Sequence, residues 1–246
     1  MSYIFDKFLY QPLLNILVLV YQYVSFRDFG LAIIFLTILI RLILAPFLQM
    51  NLKQQRAIGR LQPEIKKIQQ EYKNDKERQS RELLALYGKH KINPFFSLLF
   101  LVIQIPVMIA LYHVLLGGVN GGPEAGPGFY SFVAPPEAFN YYFLGLVNLR
   151  ERSFVLAVLA SVAQYFQSKL QILWQSLPAS DGKKQESTST QKMGQIMVLV
   201  GPILTFVALW SWNLPGAIAL FWLVSTVFSL GQQLIIYQSE IKKCKS

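Results

Sequence analysis

Five stretches of this 246-residue chain run apolar over 18 to 23 residues: about Phe29–Gln49, Phe95–Leu116, Ser153–Leu170, Gln195–Trp212 and Pro215–Tyr237. A helix needs about 20 residues to cross the hydrocarbon core of a bilayer. Strands of a transmembrane barrel would alternate over about 10 residues, and these runs do not. In lipid the main chain must satisfy its own hydrogen bonds, so continuous apolar runs fold as helices. The expected class is therefore an all-α membrane protein with five transmembrane helices, bounded at 28–50, 95–117, 153–171, 195–212 and 215–237. A composition that is 53% hydrophobic, with a mean hydropathy of +0.38, agrees with it.

Charge placement predicts the orientation, because cytoplasmic loops collect Lys and Arg. The segment 51–94 holds eleven such residues, 118–152 holds two (Arg150 and Arg152), and 169–192 holds four, Lys169, Lys183, Lys184 and Lys192. The turn "NLP" at 213–215 holds none, and the tail 238–246 holds three lysines. The alternation puts the N-terminus outside and the C-terminus in the cytoplasm. Within 51–94, Leu61, Ile65, Ile68 and Tyr72 make a narrow apolar seam at helical spacing, "KNDKE" breaks it, and Leu83, Leu84 and Tyr87 offer a second face. The pattern predicts a cytoplasmic helical hairpin. The loop at 176–192 and the Gly/Pro-rich stretch at 117–128 have linker composition, and the aromatic run at 139–149 suits the outer membrane interface.

Ahead of the first long run, Phe8–Val24 carries Gln11, Asn15, Gln22 and Ser25 within an arc of about 80° at about 100° per residue. That stripe predicts an amphipathic interfacial helix within 1–27, with a sixth span as the alternative. The order of charges and small residues does not fit a cleaved signal peptide.

Arg41 stands inside the first apolar run. It begins about 12 residues after Phe29, or roughly 18 Å into the membrane at about 1.5 Å per residue. A charge at that depth costs about 2.5–3.5 kcal/mol on insertion scales. A buried acid would offset the cost, yet none of the five runs contains Asp or Glu. A water-filled cavity is the remaining remedy. Thr37 one turn earlier, Gln104, Gln164 and Gln167 with Ser168, and Ser225, Thr226, Gln232 and Gln233 make such an interior reasonable. Pro46, Pro106 and Pro202 would loosen three helices around it. The chain has one cysteine, Cys244, and two distant histidines, His90 and His113, so no metal-ligand set and no cofactor are expected. No nucleotide-binding or hydrolase motif occurs, and the protein is not expected to be an enzyme.

Several pieces together resemble the YidC family of membrane-protein insertases, with the mitochondrial Oxa and chloroplast Albino proteins as relatives. They are "TILIRLILAPF", "LQPEIKKIQQEY", "ELLALYGKHKINPFFSLLFLVIQIPVMIALYHVL", "YFQSKL" and "LPGAIALFWLVSTVFSLGQQLII". The resemblance runs from about residue 8 to 240. It implies a hydrophilic groove that opens to the cytoplasm and to lipid. Arg41 matches the groove arginine, Thr37 the threonine one turn earlier, Gln167 the first glutamine of the third-helix motif, and Trp222 the second aromatic of the last-helix pair. Phe221 stands where tyrosine is frequent, and Ser168 where a second glutamine is. No lipobox cysteine, large extracytoplasmic domain or long basic tail is seen, which predicts a compact bacterial protein of the plasma membrane.

The expected function is insertion. A nascent protein's polar flank enters the groove formed by Arg41, Thr37, Gln104, Gln164, Gln167 and Trp222. Its transmembrane segment then leaves along an apolar slide of Ile105, Met108, Ile203 and Phe206. Expected partners are nascent membrane proteins and the lipid bilayer, with the ribosome, the signal recognition particle receptor and the Sec translocon. No sequence-specific nucleic-acid binding is expected. The alternative is a small-anion channel or transporter, which an arginine in a wet cavity also permits.

Overall fold

The computed structural model describes residues 3–93, 96–121, 129–134, 136–175 and 189–245. The expectations for residues 122–128 and 176–188, and for the first residue of the run at Phe95, lie outside the described residues. The remainder is mostly helical. A short helix α1 (Tyr3–Phe5) and a π-helical turn (Asp6–Tyr10) lead into α2 (Gln11–Tyr23). Then come α3 (Phe29–Arg60), α4 (Gln62–Glu71), α5 (Lys76–Lys89) and α6 (Phe96–Gly121). A small antiparallel ribbon follows, β1 (Tyr142–Phe143) and β2 (Val147–Asn148), pairing Tyr142 with Asn148 and Phe143 with Val147. The chain ends with α7 (Phe154–Gln175), α8 (Ser189–Ser211) and α9 (Gly216–Lys245).

Local chemistry explains the breaks. Asp28 is extended and its Oδ1 accepts from Leu31 N at 3.0 Å, which caps α3. Asp75 caps α5 in the same way through Arg78 N at 3.0 Å. Pro63 in the first turn of α4 requires no hydrogen-bond donor there. At 32 residues α3 is about 48 Å long at about 1.5 Å per residue, well beyond a hydrocarbon core of about 30 Å. Its last turns carry the exposed Lys53 and Arg60, which suit water or head groups.

Among the described residues, Phe29–Arg60 and Gly216–Gln238 are long and apolar enough to cross a membrane, and Ile105–Gly117 and Val198–Ser211 are shorter apolar helices. The second half of α7 dilutes its hydropathy with Gln164, Gln167, Ser168, Lys169 and Gln171. The exposed side chains of the bundle are themselves apolar: Phe35, Leu39, Leu42 and Ile43 on α3, Leu199, Ile203, Leu204 and Val207 on α8. Such a belt is too large for a water-facing surface and is the signature of lipid contact.

Helix α7 lies against α8 and α9, α9 lies against α3, and α2 and α6 flank α3. The apolar core is concentrated at the end of the bundle where α3 and α9 begin. Leu17, Val18, Phe29, Ile33, Leu111 and Leu149 are completely enclosed there. The buried side chains of the opposite half are notably polar: Asn51, Ser225, Thr226, Ser229 and Gln233. The bundle is thus dry at one end and polar at the other.

The dry end is sealed by residues 129–134 and 136–152. The polar stripe of α2 faces this segment. Asn15 is 1% exposed; its Oδ1 accepts from Tyr130 N at 2.9 Å and its Nδ2 donates to the Gln11 carbonyl at 2.7 Å. Gln22 donates to the Ala134 carbonyl at 2.6 Å, and Ser25 Oγ donates to the Tyr21 carbonyl at 3.2 Å. The opposite side of α2 places Leu14, Leu17 and Val18 in the core. An aromatic cluster completes the seal, with Phe139 edge-on to Tyr21 at 4.8 Å and Phe29 against Tyr141 at 5.4 Å. Burial raises the Tyr141 phenol above its ordinary pKa, and the Arg150 guanidinium over its ring pulls the other way. Asp28 ties the seal to α3, since its Oδ2 accepts from Leu144 N at 2.7 Å. Asp28→Ala is expected to cost about 1–2 kcal/mol, the upper range of a lost cap, read as a lower thermal midpoint in detergent.

Beyond α3, α4 and α5 lie side by side. Leu61, Ile65, Leu86 and Ile92 form a small core, with Ile58, Ile68, Leu83 and Tyr87 packed on it. Leu86 fills that core, while Leu84 is exposed. Tyr72 lies at the turn, its ring 5.0 Å from the Arg78 guanidinium.

Candidate functional site in the polar half of the bundle

Arg41 sits on α3 below the dry core, half-buried, with no hydrogen-bond or ion-pair partner among the described residues. The ion pair described elsewhere is Arg81 with Glu77, exposed on α5. Glu151 belongs to the opposite end and accepts from Asn148 Nδ2 at 3.1 Å. A guanidinium carries five donors and stays charged, so an unpaired one within a membrane protein needs water or a passing acceptor.

Thr37, one turn above Arg41, is buried, and its hydroxyl donates to the Ile33 carbonyl at 2.6 Å. It marks the floor of the dry core and spends its proton within its own helix. Gln164 and Gln167 are half-buried on α7. Gln164 and Ser168 face Gly201 of α8, where an added Cβ would lie 3.5 Å from Ser168 Oγ and 4.0 Å from Gln164 Nε2. Gly201 lets α8 approach the polar edge of α7 one residue before Pro202. Gly201→Ala should fit, whereas Gly201→Leu is expected to push α8 away and cost about 1–3 kcal/mol, measured as a drop in thermal midpoint. Trp222 packs partly against the apolar core, and its carbonyl accepts from Thr226 Oγ1 at 2.8 Å. The side chain of Gln104 lies outside the described residues. Of the apolar set, Ile105, Met108 and Ile203 are exposed, while Phe206 is half-buried and meets Phe154 edge-on at 5.9 Å.

Further polar side chains gather nearer the far end. Gln232 Nε2 of α9 donates to the Ala45 carbonyl at 2.9 Å, beside the turn that Pro46 disturbs. Gln171 Nε2 of α7 donates to Gln55 Oε1 of α3 at 2.9 Å. Gln54 Oε1, Ser225 Oγ, Gln232 Oε1 and Gln233 Oε1 are buried with no partner among the described residues. A narrow crevice nearby is lined by Leu52, Leu170, Gln171, Gln233 and Ile236. Buried acceptors left open in this way demand water or an incoming donor. The expected set did not include Gln54, Gln55 or Gln171, although the glutamines after the first run and at the end of the third are the same kind of polar residue.

This pattern, an unpaired arginine at the meeting of an apolar and a polar half, bears on comparison with known proteins. The profile of the family described as 60Kd inner membrane protein matches residues 19–243. The chain belongs to the YidC/Oxa/Albino family. It is 32% identical over 220 residues to a Clostridium tetani protein, covering 87% of this chain and 84% of that one. It is 31% identical over 236 residues to a Fusobacterium nucleatum protein, covering 96% and 98%. It is 29% identical over 234 residues to a Chlamydia trachomatis protein, covering 94% of this chain but only 28% of the longer relative. All three relatives carry the name membrane protein insertase YidC. Membership of the YidC/Oxa/Albino family places the chain among bacterial inner membrane proteins, in keeping with its exposed apolar belt.

Proposed function

We propose that this protein inserts nascent membrane proteins into the bilayer, with the polar half of its bundle as the receiving groove. The observation that carries the proposal is Arg41, half-buried and unpaired among the described residues. Five helices, within α3 and α6 to α9, span the membrane. The charge of 51–94 turns the polar end toward the cytoplasm. A substrate's polar flank enters there and meets Arg41, Gln164, Gln167 and the α9 glutamines, so its hydrophilic groups cross a shortened apolar barrier. Thr37 and Trp222 bound the same groove. The attached apolar segment moves out past Ile105, Met108, Ile203 and Phe206 into lipid. Burial of about 20 apolar residues supplies the driving force, so neither nucleotide nor cofactor is needed.

The basic helices α4 and α5 receive substrates and meet their delivery partners. The ribosome, the signal recognition particle receptor and the Sec translocon are proposed in that role on family grounds. The rival reading, a small-anion channel or transporter, is not favoured by the relatives' names.

The test is reconstitution of the purified protein alone in liposomes. A short single-spanning substrate with an acidic N-terminal flank should become protected from protease. No protection above protein-free liposomes, with the reconstituted protein folded, would overturn the proposal.

A further inference from the structure

The tip of the β1–β2 ribbon is built against its own backbone preference. Leu146 N donates to the Phe143 carbonyl at 3.0 Å, closing a β-turn across Leu144 and Gly145. Both central residues have positive φ, 51° at Leu144 and 71° at Gly145. Turns of this hand favour Asn-Gly, and a bulky residue in the left-handed region is an outlier. Leucine is therefore the poor choice for the backbone at 144. It is also poor for water, because Leu144 is 59% and Leu146 83% exposed. A strained backbone at an exposed apolar tip points to a function other than stability.

The tip is held firmly. Asp28 bonds Leu144 N while capping α3, and the Phe143 ring rests on the bare backbone of Gly30. This fixes the leucines beside the first turn of α3. Phe26, 92% exposed and itself at φ 52°, precedes the same cap by two residues. From that turn the exposed stripe Phe35, Leu39, Leu42 and Ile43 runs down α3. The tip thus lies at the start of the helix that carries this apolar stripe. Exposed Tyr23, Tyr142 and Trp212 lie at this end as well, as aromatics do at a membrane interface. Arg27 is exposed beside Phe26, and Arg150 and Arg152 lie over Tyr141 and Trp210, so cations are at hand for lipid phosphates.

We propose that Leu144, Leu146 and Phe26 form a lipid-inserting wedge that enters the head-group–acyl boundary of the leaflet around the dry end of the bundle. The wedge sets the depth of α3 and rests on the reading that α3 spans the bilayer. It engages lipid permanently and takes no part in receiving substrate.

Spin labels test it. A nitroxide at Leu146→Cys, in a Cys244→Ser background, is reconstituted in phosphatidylethanolamine–phosphatidylglycerol vesicles. Its collisions with oxygen and with a water-soluble nickel chelate are compared. Labels at Leu39→Cys, on the lipid side of α3, and at exposed Glu137→Cys serve as references. Oxygen-favoured collisions at 146, resembling those at 39 and opposite to those at 137, are expected. Nickel-favoured collisions at 146 with oxygen-favoured ones at 39 would overturn the wedge alone. Nickel-favoured collisions at both would overturn the spanning reading and the wedge with it. Leu144→Asn separates lipid contact from folding, because asparagine suits the left-handed position. This variant should keep its thermal midpoint in detergent or raise it, while the label at 146 moves toward water. An unchanged depth would overturn the role of Leu144.

Discussion

Replacing Arg41 with Ala or Glu will lower insertion of a substrate with an acidic flank by about tenfold or more. One charge-assisted hydrogen bond is worth roughly 1.5–3 kcal/mol, and each 1.4 kcal/mol is about tenfold. Arg41→Lys should keep much of the activity if the charge matters more than the guanidinium fork. The same site should show the opposite effect on stability. Arg41 has no partner among the described residues that its removal would strand, so Arg41→Leu replaces a half-buried charge with an apolar side chain and should raise the thermal midpoint. Protease protection in proteoliposomes measures the first effect, and thermal unfolding in detergent the second. Equal insertion by wild type, Arg41→Ala and Arg41→Glu across a panel of substrates would remove Arg41 from the mechanism. A loss of stability accompanying the loss of insertion would mean that Arg41 supports the fold.

Gly30→Ala will destabilise the protein although alanine is the better helix former. A Cβ at residue 30 would lie 2.3 to 2.8 Å from three atoms of the Phe143 side chain. Phe143 cannot simply swing aside, since Phe143 pairs with Val147 and Leu144 N is bonded to Asp28. Overpacking of this kind costs about 1–3 kcal/mol, outweighing a helix-propensity gain of about 1 kcal/mol. The effect is read as a lower thermal midpoint. Phe143→Ala in the Gly30→Ala background should recover part of that loss, because it removes the atoms that clash. No recovery would place the cost of Gly30→Ala elsewhere.

Much of the bundle was legible in the sequence because its signals are local. Runs such as Phe29–Gln49 announce a helix by length and apolarity alone. Arg41 was legible by subtraction, since a charge in a run with no acid nearby has few remedies. What escaped is long-range. The stripe of Gln11, Asn15, Gln22 and Ser25 could be read as facing an interface. In the structure Asn15 instead holds Tyr130, 115 residues away. The glycine at residue 30 gives no sign of the Phe143 ring that it admits. Gln55 and Gln171 are ordinary polar residues until two helices bring them within 2.9 Å. The sequence pattern also offered Leu83, Leu84 and Tyr87 as one face of α5, whereas the structure buries Leu86. The turn beginning at Tyr72 and the cap at Asp75 set the rotation of α5 against α4, and periodicity within one helix does not show that.

The start of α9 depends on main-chain groups. Gly216 N donates to the Glu151 carbonyl at 2.8 Å, and Ala217 N donates to the Leu149 carbonyl at 3.1 Å. Leu149 N donates in turn to the Tyr141 carbonyl at 2.9 Å. A cap made of carbonyls is indifferent to the side chains that happen to be attached. It is sensitive to spacing, because one residue more or less between 149 and 151 would slide both acceptors out of register. This connection can therefore drift in composition over evolutionary time while its length stays fixed, so gaps will be rarer there than substitutions.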